Sequence, residues 1–310
     1  MIKGLAITPP VLGRISIGKL VEKNDKLLPQ KDDQFTITSQ VQNKDGWVNH
    51  PLDEEFRKTS TNGKLRSIPV RMLFNDPDLN LRAEYSLFDK KNGRPICVGN
   101  GETCRRNTET GIEILPCPSP DHCPLAQGGQ CKPYGRLNVK IGDDDELGTF
   151  IFRTTGYNSI RTLAARLQYY QAVSGNLLAC LPLQLKIRSK STTQSHRTPI
   201  YYVDLTVRDG TTLEQAIVEA KTIEQQRLEC GYDQVALDEA AKIGFANATF
   251  EDSEDEIPDV VEEFYAENAE VVTSSDQVVQ PITQSKRPSL KVSLKQKLEN
   301  KAVGLSDSAD

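Results

Sequence analysis

The sequence predicts an α+β fold, and three observations predict it. Segments that alternate apolar and polar residues recur through the first third of the chain, segments with helical spacing lie in the second half, and five of the seven cysteines are clustered between positions 97 and 131. A period of two is typical of half-buried strands, whereas a period near 3.6 is typical of helices. With 310 residues, 37% of them apolar, the chain is long enough for one large or two modest domains.

These patterns divide the chain into four segments. Residues 1–96 form a β-rich region, residues 97–136 a cysteine metal-binding knuckle, residues 137–249 an α+β region, and residues 250–310 a disordered tail that is acidic and then basic. We expect the helix-hairpin-helix unit of the third segment to pack against the β-rich region. The order of the strands does not follow from the sequence.

The β-rich region is predicted from alternation and turn residues. The segment FTITSQV, from Phe35 to Val41, alternates apolar and polar residues. The segments SIPVRMLF and LRAEYSLFD follow, and the turn-forming run from Asn75 to Asp78 separates them.

Three helices and a hairpin are predicted after the cysteines. The first helix runs from Tyr157 to Val173 and ends before Gly175, because its apolar residues recur at helical spacing: Ile160, Leu163, Ala164 and Leu167. The segments LPLQLKIRS and PIYYVDLTV then form a hairpin. Thr212 and Gln215 form a capping-box pattern at the start of a helix that reaches about Cys230, and a further helix extends from about Gln234 to Asn247.

The cysteine cluster is the strongest chemical signal. The proposed metal ligands have 12, 5 and 7 intervening residues: Cys104, Cys117, Cys123 and Cys131. Four thiolates suit tetrahedral zinc, and Pro and Gly in CPSPDHCPLAQGGQC allow the chain to curl around an ion. An iron–sulfur cluster and unliganded cysteines are the alternatives. Cys97 and His122 are possible substitute ligands, although adjacency to Cys123 favours His122 as a loop residue.

The same composition predicts a cytoplasmic protein without a membrane span. An odd number of clustered cysteines is a poor disulfide framework and is more typical of metal binding in a reducing compartment. No apolar run approaches the roughly 20 residues that a spanning helix requires. The N-terminal apolar stretch is shorter than that of a signal peptide.

Catalysis is not expected from the sequence. The three histidines lie in separate contexts, and four thiolates would close a zinc site that catalysis needs open. Glu102 and Asp121 are the carboxylates nearest the cysteines, and both are interpreted as ordinary loop residues. We therefore expect a non-enzymatic protein.

The hairpin is a candidate nucleic-acid-binding element. Its basic and aromatic residues could contact phosphates and stack on a base: Lys186, Arg188, Lys190, Arg197 and Tyr201. Residues 1–235 carry a net charge of about +4, which favours such a surface. A solvated hairpin with core tyrosines is the alternative.

The tail is a candidate partner-binding segment. Residues 251–270 contain ten carboxylates and no Lys or Arg. Its apolar residues would anchor it to a basic partner protein: Ile257, Val260, Val261, Phe264 and Tyr265. A purely solubilising tail is the alternative.

Several strings in the chain carry a resemblance to known families. They are KLRSIPVRMLFNDPDLNLRAEYSLFD, CVGNGETCRR, CPSPDHCPLAQGGQC and FRTTGYNSIRTLAARL. Together they resemble bacterial mobile-element proteins described as hydrolase or metal-binding proteins. More distantly, their order is similar to that of the recombination directionality factors of phages that use serine integrases, over roughly residues 1 to 210.

The resemblance to directionality factors implies a protein that binds the integrase and redirects it from integration to excision. It also implies that the four-cysteine knuckle is structural. The leading hypothesis is therefore a non-enzymatic, zinc-binding accessory protein of a phage or integrative element that assists DNA recombination by binding a recombinase or another DNA-processing protein. The alternatives are a single-stranded nucleic-acid-binding protein with an acidic partner-recruiting tail, and a metal-dependent hydrolase.

Overall fold

The chain has an α+β fold in which a large sheet dominates. The computed structural model describes residues 10–23, 26–43, 46–60, 62–90, 92–143, 148–191, 193, 198–247 and 264–265. All of them belong to one compact unit, Met1–Glu267. In this part of the chain, no helix is long and apolar enough to cross a membrane.

The described residues form twelve strands and five α-helices. The strands are β1 Val11–Lys23, β2 Lys26–Asn43, β3 Gly46–Asn49, β4 Ser67–Arg71, β5 Leu81–Phe88, β6 Pro95–Gly99, β7 Thr103–Thr108, β8 Gly111–Pro116, β9 Lys132–Ile141, β10 Thr149–Thr154, β11 Leu183–Lys190 and β12 Ile200–Val207. The helices are α1 Pro51–Thr59, α2 Pro77–Asn80, α3 Tyr157–Ser174, α4 Leu213–Glu229 and α5 Gln234–Asn247.

One sheet joins strands that are distant in sequence. Its main path runs in the order β3, β2, β1, β10, β9, β5, β6, β7 and β8, while β4 links β9 to β11 and β12 pairs with β11. Strand β10 is parallel to β1 and antiparallel to β9. The first strand therefore pairs with a strand that begins at Thr149, which local alternation could not indicate.

The inner face of the sheet carries the main core. Phe152, Leu137 and Leu81 are paired in register across β10, β9 and β5, and all three are buried. Leu163 and Leu167 of α3 are fully buried in the same apolar cluster. Burial of a side chain of this size stabilises the fold by about 1.5–3 kcal/mol, so α3 is firmly attached to the sheet.

The outer face of the same three strands carries a row of cations. Because successive side chains of a strand point to opposite faces, the register that places Leu137 inside places Arg136 outside. Arg153, Arg136 and Arg82 are paired in register on this outer face. Tyr134, two residues before Arg136 on β9, lies on the same face and is buried.

The three predicted helices are confirmed, and their boundaries agree with the prediction to within one residue. Helix α3 ends before Gly175, whose backbone is left-handed with φ of 68°. Thr212 and Gln215 form the predicted capping box at the start of α4, because each side chain accepts a hydrogen bond from the other residue's backbone. Helix α5 spans the range that the sequence predicted.

Helix α1 lies in a region for which only strands were predicted. Its residue Asp53 is almost fully buried, accepts a hydrogen bond from the Ile37 backbone at 2.9 Å, and pairs with Arg57 Nε at 2.6 Å. Pro51 in the first turn and the acidic residues that follow it are typical of a helix start. A helix of nine residues is too short to show a clear helical period of apolar residues, so the sequence did not indicate it.

Candidate metal centre

All five cysteines of the predicted knuckle line one cavity of about 20 Å³. They come from separate parts of the fold: Cys97 from β6, Cys104 from β7, Cys117 directly after β8, Cys123 from the following turns and Cys131 directly before β9. Cys97 was expected only as a substitute ligand, and the structure places it with the other four.

A short three-stranded ribbon brings the first three cysteines together. In β6 and β7, Gly99 pairs with Cys104. Strand β8 then returns along β7, and the Cys117 amide donates a hydrogen bond to the carbonyl of Glu102 at 2.8 Å. Gly99 leaves no room for a larger residue, because a Cβ there would lie 2.7 Å from the Cys104 Cβ and 3.0 Å from the Cys117 Sγ.

This ribbon was not predicted, since residues 97–136 were assigned to a metal-binding knuckle and no strand was predicted within it. Strand β8 is mostly exposed, and its apolar residues Ile112 and Ile114 face solvent. A strand without a buried face carries no burial pattern in its sequence. The pairing of β7 and β8 is nevertheless continuous from Thr103 to Pro116.

Tight turns bring the last two cysteines to the cavity. Two 3-10 segments, Pro120–His122 and Pro124–Gly129, lie between Cys117 and Cys131. The second opens with a hydrogen bond from the Ala126 amide to the Cys123 carbonyl at 3.0 Å. These turns contain Pro and Gly residues of CPSPDHCPLAQGGQC.

The thiols lie in a poorly solvated site. Burial raises the pKa of the Cys97 thiol to about 11. Burial also raises the pKa of the Cys131 thiol to about 12, and the neighbouring cysteines add to that effect. The hydrogen bond to Cys97 in turn raises the pKa of Arg106. Without a bound cation these thiols are therefore protonated at neutral pH, and a metal ion would have to displace their protons.

The donor chemistry suits a thiophilic metal, but the coordination geometry is not formed. Among the described residues, no group of three or more His, Cys, Asp or Glu side chains is arranged so that it could hold a metal ion. The five thiols therefore share a cavity and do not form a tetrahedral set. His122 is exposed and does not line the cavity.

Sequence reasoning missed Arg106 as part of this site. Its guanidinium lies 3.9 Å from the Cys104 Sγ, and the residue lines the cavity. The signal was present, because residues two apart on a strand share a face and Arg106 follows Cys104 by two.

Two basic residues of the predicted hairpin, Lys186 and Arg188, lie on one strand and are paired with acidic side chains. Lys186 and Arg188 are two residues apart on β11 and therefore lie on the same face of the strand. The Lys186 Nζ lies 2.9 Å from Asp209, and the Arg188 Nε lies 3.4 Å from Asp204. These carboxylates offset much of the positive charge that the sequence suggested.

The remaining members of that predicted set are not gathered around a loop. Lys190 donates a hydrogen bond to Asn158 on α3 at 2.7 Å. Tyr201 pairs with Ser189, so it projects from the face opposite to Arg188. Arg197 lies outside the described residues.

Two of the five predicted tail anchors are described, and both contact the body of the protein. Phe264 is buried and packs against Phe88 and Tyr134, with Tyr265 beside it. The other three lie outside the described residues: Ile257, Val260 and Val261.

Comparison with known proteins identifies one family. A family model described as Gp3-like, recombination directionality factor-like, matches residues 12–208. The matched range includes the cysteine cavity and both strands of the β11–β12 hairpin. No curated protein and no solved structure matches the chain.

Proposed function

Because the chain belongs to the Gp3-like, recombination directionality factor-like family, we propose that it is a non-enzymatic accessory protein of phage or mobile-element recombination. In this role it binds the recombinase and changes which recombination reaction the enzyme favours. The observation that carries the proposal is the family match, which extends from the second residue of β1 to one residue beyond β12.

Protein binding is favoured over direct nucleic-acid binding by the charges of the hairpin. Lys186 and Arg188 are already paired with Asp209 and Asp204. A phosphate backbone would have to compete with these carboxylates, whereas a protein partner can use uncharged surface. The exposed residues Ile112 and Ile114 on the edge strand β8 are one such surface.

The binding step can be tested with the recombinase encoded by the same element. The two purified proteins are mixed without DNA and analysed by size-exclusion chromatography with light scattering. We expect a complex that persists at 0.5 M salt, because an apolar contact is little screened. Absence of a complex at low salt, both with and without DNA carrying the recombination site, would refute the proposal.

We further propose that the cysteine cavity holds one structural zinc ion. The ligands would be Cys104, Cys117, Cys123 and Cys131, with Cys97 as the substitute and an iron–sulfur cluster as the alternative. Support comes from the convergence of all five thiols on one cavity and from the affinity of thiolates for zinc. The thiols would have to move together around the ion, because the described residues do not hold them in a coordinating arrangement. Bound zinc would link β7, β8 and the turns before β9, and it would supply no chemistry to a reaction.

Metal content decides this second proposal. The protein is purified without added metal, and zinc and iron are measured per chain together with the melting temperature. We expect about one zinc per chain, which Cys117→Ser with Cys123→Ser removes. Cys230→Ser is the matched control, because Cys230 is exposed at the end of α4. Unchanged metal content and melting temperature in the double variant would show that these cysteines bind no metal, and iron would favour the cluster.

A further inference from the structure

Phe264 and Tyr265 occupy a site on the outer face of the sheet. Phe264 is 1% exposed. Its ring centroid lies 4.9 Å from that of Phe88 and 5.8 Å from that of Tyr134, both at steep interplanar angles. Phe88 and Tyr134 also contact each other edge to face at 5.7 Å. Such aromatic contacts are favourable beyond the area that they bury.

Polar contacts add specificity to this aromatic packing. The Tyr265 hydroxyl donates a hydrogen bond to the Phe88 carbonyl at 2.8 Å. The Lys132 Nζ lies 3.5 Å from the Phe264 carbonyl oxygen and 5.9 Å from the centre of the Tyr265 ring. The Lys90 Nζ lies 5.0 Å from the same ring. The site thus contacts two adjacent aromatic rings and one backbone carbonyl.

The walls of the site belong to the sheet itself. Phe88 ends β5, while Lys132 and Tyr134 lie at the start of β9. The two strands are hydrogen-bonded in register, with Glu84 opposite Tyr134. The site therefore depends on strand pairing and not on the segment that occupies it, so it would persist as an aromatic surface if that segment left.

The charges of the site and of its occupant are complementary. Phe264 and Tyr265 lie within residues 251–270, which contain ten carboxylates and no Lys or Arg. Lys132 and Lys90 lie beside the site and carry its positive charge. Farther along the outer face, Arg136 is paired with Glu84 at 3.5 Å and Arg82 stacks on Phe245 of α5. Opposite charges of this kind favour association and increase its rate.

We propose that Phe88, Lys90, Lys132 and Tyr134 form a binding site for an acidic protein segment that contains two adjacent aromatic residues. The chain's own Phe264 and Tyr265 occupy this site and must leave before a segment of the same chemistry on a partner protein can enter. The occupant in the structure defines the chemistry of that partner segment, which is acidic and carries two adjacent aromatic residues.

An intramolecular occupant raises the apparent dissociation constant of a competitor by the inverse of the fraction of sites that it leaves open. Only 16 residues separate Asn247, the end of α5, from Phe264. A tether of this length holds the occupant at an effective concentration on the order of 1 mM. If the segment itself binds with a dissociation constant of about 0.1 mM or less, the occupant leaves at most about one site in ten open, and a separate peptide should bind about tenfold or more tightly once the occupant is removed.

The probe for this test is a fluorescent peptide with the sequence of residues 251–270, and its binding to the full chain is measured by anisotropy. The wild-type chain is compared with the variant that combines Phe264→Ala and Tyr265→Ala. We expect at least tenfold tighter binding to the variant. Tyr157→Ala is the matched control, since Tyr157 is an exposed aromatic residue on α3 and its loss should leave the affinity at the wild-type value.

Two further measurements test the contributions of the aromatic residues and of Lys132 to binding. A peptide in which both aromatic residues are alanine should not bind, and adding Lys132→Ala to the double variant should weaken binding of the native peptide. If the double variant does not fold, Tyr265→Phe removes only the hydrogen bond to Phe88, and a smaller gain in affinity is expected. Equal affinity for the wild-type chain and the folded variant, or equal binding of the alanine peptide, would overturn the proposal.

Discussion

Gly99→Ala tests how tightly the cysteine ribbon is packed. A Cβ at this position would lie 2.7 Å from the Cys104 Cβ, 2.9 Å from the Thr103 carbonyl oxygen and 3.0 Å from the Cys117 Sγ. Carbon atoms in contact are ordinarily about 3.5–4.0 Å apart. Strands β6 and β7 would therefore have to separate by about 1 Å to admit the methyl group.

The expected cost follows from two opposing effects. Overpacking of a well-packed site destabilises the fold by about 1–3 kcal/mol. Replacing Gly by Ala also restricts the unfolded chain, which restores about 0.4–1 kcal/mol. The net loss in the free energy of unfolding should therefore lie between about 0 and 2.6 kcal/mol, with a midpoint near 1.3 kcal/mol. The content of the proposed zinc ion should fall as well, because Cys104 and Cys117 are both displaced.

The assay is urea unfolding followed by circular dichroism, with metal content measured on the same samples. Gly156→Ala is the matched control, because Gly156 has a φ of −73° and its nearest neighbour to an added Cβ is the Thr154 hydroxyl at 3.2 Å. The control should change the unfolding free energy by less than about 0.5 kcal/mol. If Gly99→Ala behaves like the control in both measurements, the ribbon is not packed as closely around Gly99 as these distances indicate.

Three further predictions concern the body of the protein. Leu167→Ala should lower the free energy of unfolding by about 2–5 kcal/mol, because Leu167 is fully buried under the sheet; urea unfolding measures this, and a loss below 1 kcal/mol would contradict the packing of α3. Asp53→Ala should cost about 1–3 kcal/mol in the same assay, since it leaves the partly buried Arg57 without its carboxylate; a neutral effect would argue against that pair. The hydrogen bond from Arg208 lowers the pKa of Asp143 to about 2. This pKa lies below the ordinary value near 4, so the ion pair stabilises the folded chain above about pH 4 and its contribution is lost as the pH falls toward 2. Asp143→Asn should therefore destabilise the chain at pH 6 more than at pH 2.5, and an equal loss at both values would refute the assignment.

Local signals in the sequence predicted the later part of the fold well. Helices α3, α4 and α5 were predicted because apolar spacing, the capping box at Thr212 and the stop at Gly175 act within one or two turns. The hairpin of β11 and β12 was predicted because two alternating segments flank one polar loop.

The pairing of strands that are distant in sequence could not be predicted. The parallel pairing of β1 with β10 places Ile15 opposite Phe152, and the residues around each of them do not indicate which strand it pairs with. For the same reason, Cys97 was only a substitute ligand, although strand pairing places it at the cavity with Cys104. Tyr201 was grouped with Arg188 because they are close in sequence, whereas the register of the hairpin places them on opposite faces.

The most direct test of the proposed function is the direction of recombination in vitro. The recombinase of the same element is incubated with substrates for integration and, separately, with substrates for excision, and product is measured with increasing amounts of this protein. We predict that excision rises from near zero and integration falls, with both effects saturating near a fixed ratio of the two proteins. Unchanged yields of both reactions, with a recombinase that is active on its own, would contradict the account.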